Sequence, residues 1–184
     1  QMNYATPALQ DEKVRQAICM GVDKENFTKV LLQGNGAAAV GPFPASFPFG
    51  DDTVTASAYE PVGAKALLAE AGWTDTDGDG YVDKDGEKLT IRWLTYPSRQ
   101  ELPLLAESVQ ATMKEIGIDI QVNCTADQGS FLEKGEWDIY ASAFVCAPTG
   151  DPEYFFTTHC LDTSTKNRGG YHSDALQELE NQMK

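Results

Sequence analysis

Six acidic residues lie within thirteen positions, 75 to 87, and they are the densest group of potential metal ligands in the chain. The order Asp-x-Asp-x-Asp-Gly matches the start of an EF-hand-type calcium loop, in which oxygen ligands occupy positions 1, 3, 5, 7, 9 and 12. The candidate ligands are Asp75, Asp77, Asp79, the carbonyl of Tyr81, and Asp83. Position 12 is Gly86 rather than the usual bidentate glutamate. The stretch is therefore either a weakened calcium loop that braces the fold or a solvated Asp/Gly turn.

Side chains suited to catalysis are sparse. The two histidines are His159 and His172, and the sequence contains no GxSxG, HExxH or CxxC motif and no glycine-rich loop between a predicted strand and helix. The four cysteines, Cys19, Cys124, Cys146 and Cys160, are interpreted as buried thiols, with a Cys146–Cys160 disulfide as the alternative. We therefore expect a protein that is not an enzyme and that requires no cofactor.

Charge and composition restrict the partners. The 184 residues carry a net charge of -14, which repels phosphate backbones and anionic headgroups, so nucleic acid is not an expected partner. A hydrophobic content of 41% suits one globular core. No apolar run reaches the length of about 20 residues that a membrane span needs, and the residues QMNYATPALQDEK do not show the basic-then-apolar pattern of a secretion signal.

Helix and strand patterns alternate along the chain. Helices are predicted after Asp11 and Asp23, from Pro61 and through Leu105–Ile116, and residues 33–58 form a long proline-rich loop. Strands are predicted at 88–96, 117–124 and 137–145, and the last is apolar on both faces, as expected of a central strand. This order predicts a layered α/β fold.

Several blocks together resemble one protein family. The segments 3–32, 59–96, 98–122, 135–144, 151–160 and 169–180, which include DEKVRQAICMGVDKENF, GEWDIYASAF and DPEYFFTTHC, are similar in order and spacing to family 5 of the bacterial extracytoplasmic solute-binding proteins. These are the peptide- and nickel-type receptors of ABC importers.

The resemblance implies a type II periplasmic-binding-protein-like lobe, a mixed β-sheet flanked by helices on both faces. It implies that residues 1–184 are a single domain, the second lobe of a two-lobed receptor whose first lobe is absent. The implied partners are a small solute, that first lobe and the permease subunits. We expect a monomer located outside the cytoplasm, in the periplasm or lipid-anchored at the cell surface.

The resemblance also suggests the solute. Peptide-type members place an acid in the loop after the central strand, whereas Ala147, Pro148 and Thr149 stand here, and the next acid, Asp151, is expected to cap a helix. The stretches TYPSRQELPLLAE and APTGDPEYFFTTH are similar to the nickel and metal-chelate branch. We therefore expect a nickel or metal-chelate receptor lobe, with a peptide receptor lobe as the alternative. A calcium-stabilised extracellular interaction module is the alternative from another class.

The candidate ligand-binding residues are expected at the rim of the cleft: Cys146, Pro148, Thr149, Asp151, Tyr154, His159, Asn167 and Arg168. A neutral imidazole suits Ni²⁺, so His159 is a candidate metal contact, and a helix-end hydrogen bond to the backbone is its alternative role. Arg168 is either a clamp for a chelator carboxylate or an ordinary exposed charge.

Overall fold

The computed structural model describes residues 1–50 and 53–183, so Asp51 and Asp52 of the predicted long loop lie outside the described residues. The helices are α1 (Pro7–Gln10), α2 (Glu12–Met20), α3 (Lys24–Asn26) with a π-helical continuation (Phe27–Leu31), α4 (Pro61–Glu70), α5 (Glu101–Glu115), α6 (Gln128–Lys134), α7 (Glu153–His159) and α8 (Asp174–Met183). The strands are β1 (Asp83–Lys84), β2 (Glu87–Lys88), β3 (Thr90–Thr95), β4 (Asp119–Cys124) and β5 (Ile139–Tyr140). None of the described helices has the length and apolar composition that crossing a bilayer requires.

A parallel sheet with the order β4-β3-β5 forms the centre of the fold. Ile91 pairs with Ile120 on one side, and Trp93 pairs with Ile139 on the other. The segment before α1 adds an antiparallel bridge from Met2 to Ile139, so the sheet is mixed. The chain crosses from β3 to β4 on one side of β3 and then from β4 to β5 on the other side of β3. Since such crossovers are right-handed, α5 and α6 must lie on opposite faces of the sheet.

The two faces of the sheet have separate apolar clusters. Ile91, Trp93 and Ile120 pack with buried residues of α2, α4 and α5, among them Ala17 and Leu68. On the opposite face, Leu94 and Tyr140 pack with Trp137 and with the half-buried Phe131 and Leu132 of α6. Because side chains alternate along a strand, β3 contributes to both clusters and is covered on both sides. This confirms an α/β sheet flanked by helices on both faces.

The predicted central strand at 137–145 is wrong. Only Ile139 and Tyr140 form a regular strand there, and β3 occupies the centre. Ala141 makes one more hydrogen bond to β3, from its amide to the Leu94 carbonyl oxygen at 3.0 Å, and further along Phe144 and Val145 are 45% and 61% exposed. Phe144 packs against Phe155 of α7 in the wall of a cavity and Val145 is mostly exposed, so their apolar character does not come from a strand position.

A buried carboxylate holds the first residues of the chain against the sheet. Asp138 is only 4% exposed, and it accepts hydrogen bonds from the Arg92 backbone and guanidinium and from the Thr6 hydroxyl at 2.7 Å. Burial by itself would raise the pKa of Asp138, but these donors outweigh it and lower the pKa below its usual range. The segment 1–6 is thereby fixed beside β5.

Candidate functional site

A cavity of about 420 Å³ lies where the first residues of the chain meet α2, α7 and the loop after α7. We call it the aromatic cavity. Its wall consists of Gln1, Met2, Tyr4, Arg15, Cys19, Phe144, Phe155, His159, Cys160, Asn167, Gly169 and Tyr171. Although the chain has 28 acidic residues, none is among these described lining residues.

The loop after α7 closes one wall of the cavity through a tight backbone contact. Gly169 accepts a hydrogen bond from the amide of Tyr4 at 2.9 Å, and a Cβ atom at Gly169 would collide with the carbonyl oxygen of Met2. The Asn167 side chain bonds both the carbonyl oxygen of Tyr171, at 2.7 Å, and its amide, at 3.0 Å. Glycine at 169 and asparagine at 167 therefore set the shape of this wall.

A chain of aromatic rings forms the opposite wall. The ring centroid of Phe144 lies 4.3 Å from that of His159, and Phe155 lies 5.6 Å from the same imidazole. Phe43, on the proline-rich loop, packs edge-on against Phe155 at 5.7 Å. The loop is thus anchored on α7, and its aromatic residues pack as part of the fold.

His159 occupies an unusual position among these rings. Its Nδ1 atom is buried without a hydrogen-bond partner, and no described backbone carbonyl bonds its ring, so the alternative role as a helix-end hydrogen-bond donor is not observed. Burial lowers the pKa of His159, and the nearby positive charges of Lys166 and Arg168 lower it further. The imidazole is therefore neutral at neutral pH, the form that coordinates metals.

The predicted site residues separate into two groups. His159 and Asn167 line the aromatic cavity, whereas the other six do not. Among those, Asp151 precedes Pro152, the N-cap residue of α7, and accepts a hydrogen bond from the Glu153 amide at 2.9 Å. Pro148, Thr149, Tyr154 and Arg168 are exposed, and Cys146 is half-buried. Their roles in binding stay predictions.

Sequence patterns missed the part of the cavity that comes from the start of the chain. Met2, Tyr4, Arg15 and Cys19 meet α7 only in the folded chain, across more than 120 residues of sequence. The resemblance included this region, but no local spacing in it indicated that it forms part of a cavity.

The prediction that all four cysteines are buried thiols is correct only in part. All four are free, and Cys19 and Cys124 are exposed, so the interpretation of buried thiols is wrong for these two. Cys146 and Cys160 are half-buried and unpaired, and burial raises the pKa of both thiols. Both are therefore protonated and weakly nucleophilic at neutral pH.

The acidic stretch folds into an exposed loop ahead of the β1–β2 hairpin. Asp75, Asp77 and Asp83 each place a carboxylate oxygen within 4.8 Å of the others. Backbone amides already bond these groups: Asp75 accepts from Gly78 at 2.7 Å, and Asp83 accepts from Thr76 at 2.8 Å. The three oxygens fit part of a calcium shell.

The fourth predicted carboxylate ligand lies outside this group. Asp79 forms an ion pair with Lys88 at 2.6 Å, and this hydrogen bond lowers the pKa of Asp79. A calcium ion with the predicted ligand set would require Asp79 to leave Lys88. The residues therefore fit a three-carboxylate site better than a full EF-hand shell.

Comparison with known proteins agrees with this architecture. The family model described as bacterial extracellular solute-binding proteins, family 5 Middle, matches residues 1–167. The oligopeptide-binding protein AppA of Bacillus subtilis is 37% identical over 121 residues, which cover 65% of this chain and 22% of AppA. The nickel-binding protein NikA of Staphylococcus aureus is 28% identical over 174 residues, which cover 94% of this chain and 33% of NikA.

A solved structure supports the same relationship. NikA from Staphylococcus aureus in complex with Ni(L-His)2 superimposes with a TM-score of 0.85 at 26% identity, over 99% of this chain and 37% of that one. The chain thus spans between 22% and 37% of the lengths of these relatives.

Proposed function

Because the chain belongs to the bacterial extracellular solute-binding proteins of family 5, we propose that it is one lobe of a two-lobed receptor serving an ABC importer. In this proposal residues 1–184 are a single domain, and the partners are the first lobe, a small solute and the permease subunits. The receptor is a monomer outside the cytoplasm, and it captures solute without chemical conversion. Closure of two lobes over the solute is the mechanism that such an architecture supports.

We propose a nickel or metal-chelate solute, and one observation carries this choice. The aromatic cavity has no carboxylate among its described lining residues, yet it contains a neutral histidine with an unpartnered nitrogen. A peptide's ammonium group would enter such a cavity without a counter-charge, which is unfavourable away from bulk water. A chelated metal instead gains aromatic contacts and a nitrogen donor from His159.

A peptide solute is the second candidate. It is supported by the 37% identity to the oligopeptide-binding protein AppA. In that case the amino terminus of the peptide would bind outside the aromatic cavity, or in the companion lobe.

Calorimetry on the full-length two-lobed protein tests the choice. We expect binding heat with the nickel–histidine complex and none with short peptides. His159→Gln should weaken nickel–histidine binding about tenfold, a loss of about 1.4 kcal/mol. His172→Gln is the matched control, since His172 lies outside the cavity lining. Heat with peptides alone would overturn the metal-chelate proposal.

We also propose that the loop at 75–83 binds calcium as a brace for the fold. The group formed by Asp75, Asp77 and Asp83 supports this, and the Asp79–Lys88 ion pair limits the expected affinity. The ion would have no part in solute capture.

A further inference from the structure

Arg15 places a positive charge in the wall of the aromatic cavity, which contains no described acidic residue. Its Nη1 atom donates to the carbonyl oxygens of Leu9 at 2.9 Å and Gln10 at 3.0 Å. Its guanidinium carbon lies 4.9 Å from the centre of the Tyr4 ring. These contacts hold the guanidinium in one orientation, and none of them neutralises its charge.

The remaining donors of Arg15 have no hydrogen-bond partner within residues 1–50 and 53–183. Neither Nε nor Nη2 donates to a described group, and no described carboxylate forms an ion pair with the side chain. Two other cations illustrate the difference: Lys13, on the same helix, contacts Glu70 at 2.9 Å, and Arg92 contacts Asp138 at 2.8 Å. In a chain with twice as many acidic as basic residues, the cavity keeps Arg15 apart from the carboxylates of the described residues.

We infer that Arg15 binds a carboxylate group of the solute, and this inference rests on the proposed function. A guanidinium offers parallel N–H donors that match the two oxygens of a carboxylate, and Arg15 is already oriented by its backbone contacts. The net charge of -14 repels anionic groups in general, so a carboxylate needs a fixed local cation to enter the cavity. The solute class is therefore a carboxylate-bearing ligand, such as an amino-acid chelator of a metal.

The test compares matched ligands on the full-length protein. Nickel–histidine and nickel–histamine complexes differ in the carboxylate, because histamine lacks it. We expect Arg15→Gln to weaken nickel–histidine binding by about 30-fold or more and to leave nickel–histamine binding unchanged. Arg15→Lys, which keeps the charge without the planar fork, should show an intermediate loss. Lys13→Gln removes the same charge from the outer side of the same helix and should change neither affinity.

Stability is controlled separately, since Arg15 also bonds the end of α1. Melting temperatures are measured first, and if Arg15→Gln does not fold, Arg15→Lys and the two ligands decide the outcome. A decrease that affects histidine and histamine complexes equally would assign Arg15 a structural role only and overturn the inference.

Failure of the inference is distinguishable from failure of the proposed solute. If nickel–histidine binds the wild type and Arg15→Gln equally, the Arg15 inference is wrong while the metal-chelate proposal stands. If only peptides bind, the metal-chelate proposal is wrong, and a peptide is then compared with its carboxyl-terminal amide. A loss on Arg15→Gln confined to the free carboxylate supports the inference, and equal binding overturns it.

A further measurement by NMR uses free L-histidine and histamine, without a metal or a peptide. The Nε–H resonance of Arg15, followed by NMR in the wild type, should shift on addition of L-histidine and not of histamine. An unchanged resonance at an L-histidine concentration that calorimetry shows to saturate the wild type contradicts the inference.

Discussion

The two histidines have opposite electrostatic surroundings. His172 is exposed, and its Nδ1 and Nε2 atoms lie 2.8 Å from Asp162 and 3.1 Å from Asp174. The hydrogen bond and charge of Asp162, followed by those of Asp174, raise the pKa of His172. Burial among aromatic rings instead lowers the pKa of His159. One histidine therefore favours the protonated form in the folded state, and the other favours the neutral form.

These directions predict opposite effects of pH on stability. Stabilisation from His172 is complete below its unfolded pKa of about 6.5 and is lost as pH rises through its raised folded value. His159 destabilises the fold as pH falls below about 6.5, because the unfolded state then binds the proton more readily. We expect His172→Gln to remove the stability loss on the alkaline side and His159→Gln to reduce the loss on the acidic side. Denaturant unfolding from about pH 5 to about pH 9 measures both.

The variant Asp162→Asn tests whether the hydrogen bond from Asp162 causes the pH dependence of stability that is attributed to His172. It should flatten the alkaline side of the profile in the same way, since it removes the first cause of the raised pKa. Variants at 162 and 172 with unchanged profiles would show that this exposed pair has no measurable effect on stability.

At the scale of elements, the acidic loop is held by the structure on either side of it. The amide of Asp83 bonds the carbonyl of Thr74, and Lys84 donates to the carbonyl of Ala71 at 2.9 Å, at the end of α4. Asp85 and Gly86 form the turn of the β1–β2 hairpin with φ values of 55° and 82°. An Asp-Gly pair suits such left-handed positions. These contacts keep the three carboxylates of Asp75, Asp77 and Asp83 together.

A calcium ion bound between the carboxylates of Asp75, Asp77 and Asp83 would attract all three, which predicts that calcium raises the stability of the fold. If the loop binds the ion, millimolar calcium should raise the melting temperature by several degrees, and EDTA should reverse the increase. Asp77→Asn should abolish the response, whereas Asp85→Asn, which changes an acid outside the group, should preserve it. A melting curve that calcium leaves unchanged would support the solvated-turn interpretation.

For the whole molecule, the proposed two-lobed architecture raises the question of how much of the binding surface residues 1–184 provide. The aromatic cavity is open to solvent on one side, where Phe144 and Tyr171 remain 45% and 40% exposed. A solute bound in this open cavity would retain much of its hydration, so it would gain few contacts with the protein. It would still lose its translational and rotational freedom, and those few contacts compensate poorly for this loss of entropy.

The predicted consequence is a large difference in affinity between one lobe and two. We expect residues 1–184 alone to bind the nickel–histidine complex at least about 100-fold more weakly than the full-length protein. Calorimetry on both proteins under one set of conditions measures this, with circular dichroism to verify that the shorter chain is folded. Equal affinities would show that one lobe contains the complete site and would remove the reason for closure.

Local patterns determined much of the fold. Pro61 begins α4, the alternation of Ile118 and Ile120 identifies β4, and the turn chemistry of the acidic stretch is visible in its Asp and Gly residues. These features depend on neighbours a few positions apart, which a sequence displays directly. His159 and Asn167, which the sequence grouped together, both line the aromatic cavity, because they lie on one short helix-and-loop segment.

Tertiary structure alone decided the strand order and the composition of the cavity. The apolar run at 137–145 does not reveal that β3, rather than β5, is central, since that depends on the direction in which each crossover turns. Nor does sequence spacing bring Tyr4 and Arg15 to His159, or keep the described carboxylates out of the cavity lining. Those relations join residues more than 120 positions apart, and only the packing of α2, α7 and the segment before α1 around one space creates them.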